Sequence, residues 1–123
     1  MEKNNFPLKK IFEKYDSVIV LDTETSGLSP EKNRIIELCA VKLVCDGRQA
    51  VITDELDEFI KLPEGEKIPE QIVELTHITD EMLENEGLDE ADVCKLFSDL
   101  FSKDKVLIVA YNAQFDMNFI FYF

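Results

Sequence analysis

The sequence has few basic residues and a single histidine, and both scarcities limit its possible functions. Lys and Arg together number 13 against 26 Asp and Glu, which gives a net charge of −13. Proteins that bind nucleic acid by neutralising phosphates are usually basic, so a nucleic-acid function needs another source of positive charge. We interpret the excess acid as a solvated surface that keeps the protein soluble. An acidic face that binds a basic partner is the alternative.

Long apolar runs and a cysteine framework are also absent. No apolar run approaches the roughly 20 residues needed to cross a bilayer. The first fifteen residues, MEKNNFPLKKIFEKY, lack the apolar segment of a signal peptide. Cys39, Cys45 and Cys94 are odd in number and fit no metal-ligand spacing. They predict buried thiols in a reducing compartment, and hence a cytoplasmic protein without a membrane partner.

The length and composition fit one domain with a hydrophobic core. The chain has 123 residues, of which 46% are hydrophobic, and contains no internal repeat or linker. A lead-in helix within residues 1–16 is predicted by four residues at helical spacing, Leu8, Ile11, Phe12 and Tyr15. Residues 17–123 would then form the core of the domain.

Three segments predict an antiparallel meander. The run VIVL, in a strand at about 17–23, is β-branched and continuous, which indicates burial on both faces. Strand patterns follow at 34–44 and about 50–60. Asp46 and Gly47, between these two, form a strong hairpin signal.

The pattern then changes to helical spacing. Pro69 is predicted at the first position of one helix, while Thr79 and Asp89 are predicted to cap two more. KVLIVA at 105–110 is apolar throughout, which predicts a strand in the sheet interior beside the first strand, and a helix should follow Asn112. The predicted fold class is therefore α/β, with a three-stranded antiparallel meander, parallel strands and flanking helices. The apolar stripe of the third helix comprises Val93, Leu96, Phe97, Leu100 and Phe101.

Acidic residues follow the first and last predicted strands. If the first strand continues through Glu24, Asp22 and Glu24 project to the same side, where their repulsion is costly without a cation. Asp116 can reach the same edge, and three carboxylates would suit Mg²⁺ or Mn²⁺. Two plainer interpretations stay open. The first pair can be a polar strand end before a turn, and Asp116 can simply complement a helix dipole.

Three segments resemble motifs of a known family. DTETSGL at 22–28 and YNAQFDMNF at 111–119 are similar to the first two motifs of DnaQ-like (DEDD-type) 3′–5′ exonucleases. This family includes the epsilon proofreading subunits and exonuclease domains of bacterial replicative DNA polymerases, RNase T and oligoribonuclease. ELTHITDEML at 74–83 resembles the family's linking segment. The resemblance implies an RNase H-like fold and two-metal hydrolysis of nucleic-acid 3′ ends to nucleoside 5′-monophosphates.

The resemblance also implies metal ligands by position. Asp22 would bridge two cations about 3.5–4 Å apart, and Glu24 would bind the one that activates water. Asp116 would serve the second cation, directly or through water. The cations would relieve the repulsion between the acids and attract phosphate, so a negative net charge need not exclude a nucleic-acid substrate.

Five further residues belong to the implied substrate site. Thr25 and Leu28 match positions that hold the terminal nucleoside, and Phe115 matches an aromatic that lines its pocket. Asn112 belongs to the second motif, and His77 at most borders the pocket. A packing or turn role stays open for Thr25, Leu28 and Phe115, and a packed or solvent-facing histidine is the alternative for His77.

The family's third motif is missing from this sequence. That motif, HxxxxD or YxxxD, supplies a fourth acid and a general base, whereas only MNFIFYF follows Asp116. We therefore expect residues 1–123 to form a single, incomplete exonuclease domain, truncated before its last elements. Because general-base assistance is typically worth about 10²–10⁴-fold in rate, the chain alone should be inactive or weak. The aromatic end FIFYF would expose an apolar patch through which copies can associate.

The substrate and partner stay open within this family. The expected substrate is a 3′ end of single-stranded DNA or RNA, and the expected protein partner is a polymerase subunit. Proofreading of DNA is favoured by the resemblance, while RNA trimming uses the same motifs. A non-catalytic acidic binding module with the same fold is the alternative from another class, and turnover distinguishes it.

Overall fold

A four-stranded mixed sheet lies at the centre of the protein. The structure is a computed structural model that describes residues 9–101 and 105–123. The strand order is β3-β2-β1-β4. Strand β2 pairs antiparallel with both β1 and β3, and β4 pairs parallel with β1. The predicted meander and α/β class are confirmed. The strands are β1 Ser17–Thr25, β2 Ile35–Asp46, β3 Gln49–Phe59 and β4 Val106–Val109.

Helices precede the sheet and follow the meander. Residues 9–14 are the described part of the predicted lead-in helix, α1, whose Leu8 lies outside the described residues. The Thr79 hydroxyl caps its helix as predicted, accepting a hydrogen bond from the Met82 N–H at 3.2 Å. No helix in the described ranges is long and apolar enough to span a membrane. The remaining helices are α2 Glu70–Thr76, α3 Asp80–Glu86, α4 Glu90–Ser98 and α5 Ala113–Tyr122.

Two other predicted helix starts need correction. Pro69 occupies the N-cap position of α2 rather than its first helical position. Asp89 occupies the N-cap of α4, but its side chain makes no capping hydrogen bond. Its carboxylate therefore contributes to the start of α4 through charge near the helix dipole alone.

The hydrophobic core divides into two clusters. The larger lies between one face of the sheet and the helices α4 and α5, while the smaller lies among the start of β2, α2 and α3. The tight Asp46-Gly47 turn, in which Gly47 has φ of 68°, fixes the β2–β3 hairpin that both clusters need. The larger cluster includes Ile19, Leu21, Leu38, Ala40, Val93, Phe97, Leu100 and Phe119. The smaller includes Ile36, Ile68, Ile78 and Leu83.

Three burial predictions are wrong. β1 is continuously buried on one face only, that of Ile19 and Leu21; on the other face Val18 is buried, but Val20 is 42% exposed. β4 is not interior: it is half-buried and pairs only with β1 in the described ranges. Leu96 lies at the exposed margin of the α4 stripe.

The cysteines are also less buried than predicted. Cys45 is exposed beside the β2–β3 hairpin, and Cys39 and Cys94 are half-buried. All three thiols are free. The predicted burial of the thiols is therefore wrong for Cys45 and only partly met for Cys39 and Cys94.

The sealed face of β1 should dominate stability. We expect Ile19→Val to lower the free energy of unfolding by about 0.5–1.5 kcal/mol, because it removes a methyl group from a site with 0% exposure. Ile52→Val, the same change at an exposed position of β3, is the matched control and should change stability by less than about 0.5 kcal/mol. Urea denaturation of both variants measures the difference. Equal effects would contradict the assignment of β1 to the core.

Candidate active site

The first two acids are part of strand β1 itself. β1 continues through Thr25, so Asp22 and Glu24 alternate with the buried Thr23 and Thr25. Asp22 is exposed and Glu24 half-buried on the less covered side of the strand. The register with β2 shifts between Glu24 and Thr25, an irregularity that redirects a strand end and its side chains. Because β1 continues through both acids, Asp22 and Glu24 project from the same side of the strand, as predicted.

Asp116 reaches this region because β4 stops early. The parallel pairing ends at Val20↔Val109, which leaves the rest of β1 beyond the end of β4. The chain then enters α5, whose N-cap Asn112 accepts a hydrogen bond from the Phe115 N–H at 3.4 Å. Asp116 lies in the first turn of α5 and is only 4% exposed. Its Oδ1 accepts a hydrogen bond from Thr23 Oγ1 at 2.5 Å, which ties α5 directly to β1.

The three acids form one electrostatic unit. The pKa of Glu24 is raised by its burial first, and then by the negative charges of Asp22 and Asp116. Asp116 thus does more than complement the dipole of α5, since its charge acts on the β1 acids. Repulsion among hard oxygen donors is the property that a divalent cation would relieve, so the donor set fits Mg²⁺ or Mn²⁺.

The acids are nevertheless spread more widely than a closed single-ion cage. Across residues 9–101 and 105–123, only Glu37, Cys39 and Asp57 bring three ligand atoms within 4.8 Å of one another. Strand alternation accounts for the spacing of the other acids. Asp22 and Glu24 project from one side of β1, whereas Asp116 contacts Thr23, which projects from the other.

A second polar cluster adjoins the acids across the sheet. Glu37 lies opposite Glu24 on β2, Cys39 lies opposite Asp22, and Asp57 of β3 lies opposite Cys39. The Cys39 thiol donates to Asp57 Oδ1 at 3.0 Å and to Glu37 Oε2 at 3.7 Å. The acidic surface therefore continues from β1 over two more strands. This cluster was not predicted from the sequence.

Protons are held unusually tightly in this second cluster. Burial, a hydrogen bond with Asp57 and the charge of Asp57 raise the pKa of Glu37 to about 7. Burial and the same two carboxyl groups also raise the pKa of the Cys39 thiol. A protonated Glu37 can share a hydrogen bond with Asp57, which a charged one cannot. Two carboxyls and a thiol could hold a metal ion here, in competition with these protons.

The predicted substrate residues have mixed positions. Thr25 is buried and its hydroxyl donates to the Gly27 carbonyl at 2.7 Å, so it stabilises the turn after β1. Leu28 is 82% exposed and free to contact a ligand. Phe115 is half-buried, with its ring centroid 4.9 Å from that of Phe119. Their roles in substrate binding stay predictions.

His77 has a structural position at the end of α2. It is the C-cap residue with φ of 63°, a left-handed conformation, and its side chain is exposed. In the described part of the chain, no hydrogen bond or ion pair joins this side chain to Asp22, Glu24 or Asp116. The solvent-facing alternative for His77 therefore describes the structure.

Two surface depressions lie beside α5 rather than around Asp22. One, of about 240 Å³, is lined by residues 30–35, Glu66, Glu90 and the end of α5. The other, of about 460 Å³, is lined by residues 29–31, Asn118, Phe121 and Tyr122. Neither depression is lined by Asp22, Glu24 or Asp116.

Comparison with known proteins identifies the family. Residues 19–122 match the RNase T family model, described as an exonuclease. The chain belongs to this exonuclease family. The match covers β1 from Ile19 onward, β2, β3 and α5, and so includes all three acids of the candidate site. The DnaQ-like resemblance of the sequence is thereby confirmed.

Similar curated proteins include PolC-type DNA polymerases III. A PolC-type DNA polymerase III from Staphylococcus haemolyticus is 42% identical over 102 residues, which are 83% of this chain and 6% of the polymerase. The PolC-type enzyme of Oceanobacillus iheyensis is 37% identical over 105 residues, 85% of this chain and 7% of the polymerase. The chain thus spans less than a tenth of the length of these relatives.

Solved structures confirm the RNase H-like fold. Exonuclease I from E. coli, in complex with a dT13 oligonucleotide, is similar with a TM-score of 0.73 and 23% identity. The similarity covers 85% of this chain and 22% of that one. Exonuclease I from Methylocaldum szegediense has a TM-score of 0.72 and 23% identity, covering 84% of this chain and 22% of that one.

The raised pKa of Glu37 should make stability depend on pH. The folded protein keeps this proton up to about pH 7, whereas the ordinary value is 4.5. The stabilisation is therefore complete below the ordinary value and is lost as the pH rises through about 7. We expect Glu37→Gln to gain stability relative to the wild type between about pH 4.5 and about pH 7, and to keep a constant advantage above that range, as measured by thermal unfolding.

Glu58→Gln, which removes one charge at a neighbouring position of β3, is the control for net charge. Its stability should run parallel to that of the wild type over the same range. A constant difference between wild type and Glu37→Gln at every pH would contradict the proton shared within the second cluster.

Proposed function

We propose that the chain is a 3′–5′ exonuclease domain that binds Mg²⁺ or Mn²⁺ through Asp22, Glu24 and Asp116. The substrate is the 3′ end of a single-stranded nucleic acid, and the favoured role is proofreading of DNA. The observation that carries this proposal is the hydrogen bond from Thr23, which lies between Asp22 and Glu24 on β1, to Asp116 of α5. After burial, the charges of Asp22 and Asp116 also raise the pKa of Glu24. It supports a common site for acids that are 92 residues apart in sequence.

The proposed reaction is hydrolysis of the terminal phosphodiester bond. A water oxygen bonds to phosphorus, the P–O3′ bond to the preceding nucleotide breaks, and a proton passes to the released 3′ oxygen. The product is a nucleoside 5′-monophosphate. Bound divalent cations would supply charge stabilisation for the attacking and leaving oxygens. Asp22 and Glu24 would hold them from β1, and Asp116 would act from the first turn of α5.

Substrate binding is proposed for the surface around the end of β1. Leu28, which is exposed, and Phe115 would contact the terminal nucleoside, with Thr25 fixing the turn between the acids and Leu28. Asn112 supports this arrangement by capping α5. A role for His77 has no support beyond the sequence, given its position at the end of α2.

The proposal includes low activity of residues 1–123 on their own. Residues 117–123 contain neither an acid nor a histidine, so they do not supply the family's third motif. A polymerase is the proposed partner, supported by the PolC-type relatives. Phe121 and Tyr122 are exposed, which supports self-association of the isolated chain. The free cysteines support a cytoplasmic location.

Metal binding and turnover test this function together. The isolated chain is titrated with Mn²⁺, followed by the electron paramagnetic resonance signal of free Mn²⁺, and incubated with 5′-labelled single-stranded DNA and RNA. We expect Mn²⁺ binding and slow, stepwise shortening from the 3′ end, with DNA preferred. Asp22→Asn should abolish shortening and weaken binding at least about tenfold, because it removes a charged ligand. Asp54→Asn, on exposed β3, is the matched control and should change neither.

Each contrary outcome has a distinct meaning. Equal Mn²⁺ binding by wild type and Asp22→Asn would reject the metal site. Binding without any shortening would keep the metal site and reject the low activity proposed for residues 1–123 on their own. Shortening of RNA in preference to DNA would reject proofreading in favour of RNA trimming.

A further inference from the structure

Asp116 combines a negative charge with near-complete burial. It is 4% exposed, and a buried carboxylate is costly unless a donor compensates it. In the described ranges, the donor to its side chain is a single group, the Thr23 hydroxyl. The orientation of the Asp116 carboxylate therefore depends on Thr23.

The second oxygen of Asp116 is left available. Across residues 9–101 and 105–123, Ser17 Oγ is the one fully buried side-chain nitrogen or oxygen without a partner. Asp116 Oδ2 also accepts no hydrogen bond in those ranges. Since it is not among the fully buried atoms without a partner, it must be in contact with solvent. One oxygen is held and the other is open to water or a cation.

Thr23 links the two halves of the candidate site. It lies between Asp22 and Glu24 on β1, projects from the opposite side of the strand and is 7% exposed. A β-branched side chain in a strand has restricted rotation, so its hydroxyl keeps a fixed direction. The β1 acids and Asp116 thus share one anchoring residue, which nothing in the DxE motif requires to be polar.

We propose that Thr23 is a positioning residue, whose hydroxyl orients the Asp116 carboxylate toward the divalent cation of the site. This role rests on the proposed function, because it requires Asp116 to act on a bound cation. It assigns Thr23 no contact with substrate or metal. Partners of this kind typically change metal affinity by about 10–100-fold when removed.

The test measures Mn²⁺ affinity of the isolated chain by the free-Mn²⁺ resonance signal. We expect Thr23→Val, which keeps the shape but removes the hydroxyl, to weaken binding at least about tenfold. Thr23→Ser should restore affinity, because it keeps the donor. Ser17→Ala, at a buried hydroxyl on the same face of β1 without a partner, should bind like the wild type. Circular dichroism checks the fold of each variant.

A double-mutant cycle separates positioning from general stability. In an Asp116→Asn background, Thr23→Val should have no further effect on Mn²⁺ affinity, because the carboxylate through which it acts is gone. Thr23→Val alone leaves the buried Asp116 carboxylate without its donor. The Asp116→Asn background removes that charge, so the test stays usable if Thr23→Val alone fails to fold. An undiminished effect of Thr23→Val in that background would overturn the positioning role.

Two further results would also overturn it: wild-type affinity in folded Thr23→Val, or equal weakening by Thr23→Ser and Thr23→Val. If Asp22→Asn and Asp116→Asn weaken Mn²⁺ binding while Thr23→Val does not, only the positioning role fails. If neither acid variant weakens binding, the proposed metal site fails and the role of Thr23 fails with it.

Discussion

The parallel register of β1 and β4 is the constraint on which the candidate site depends. Their pairing stops at Val20↔Val109, five residues before β1 ends. Beyond that point, the first turn of α5 lies beside β1 in the place of a neighbouring strand. A longer β4 would place a strand where Asp116 now meets Thr23. The same register also brings Phe119, one turn further along α5, into the core with Ile19 and Leu21.

Repulsion among the clustered carboxylates opposes their close approach, and the fold tolerates it because the acids are spread over several strands and α5. Asp22 and Glu24 are adjoined by Glu37 and Asp57 across the sheet, with Cys39 as an uncharged donor between the latter two. A proton on Glu37 removes one charge, and Asp116 acts on Glu24 from the opposite side of β1. A bound cation would therefore reduce the repulsion among several neighbouring carboxylates at once.

The sequence predicts most of the fold because its signals are local. Asp46-Gly47 determines the hairpin, Thr79 and Asn112 mark helix starts, and the DxE spacing gives the side of the strand on which the first acids lie. The Glu37–Cys39–Asp57 cluster could not be found in this way. Its register depends on an irregularity between Lys42 and Leu43; counting from the hairpin without it would place Leu56 opposite Cys39. The Thr23–Asp116 hydrogen bond likewise depends on where β4 stops, which no local pattern determines.

The edge position of β4 has a consequence for solubility. An edge strand presents backbone donors and acceptors that can pair with another chain, and charged side chains are a common protection against this. The other edge, β3, carries Asp54, Glu55, Asp57 and Glu58, whereas the four residues of β4 are all Val, Leu or Ile. The two edges of the described sheet are therefore unequally guarded. Aggregation of the isolated chain, and equally the addition of a complementary strand, would begin at β4.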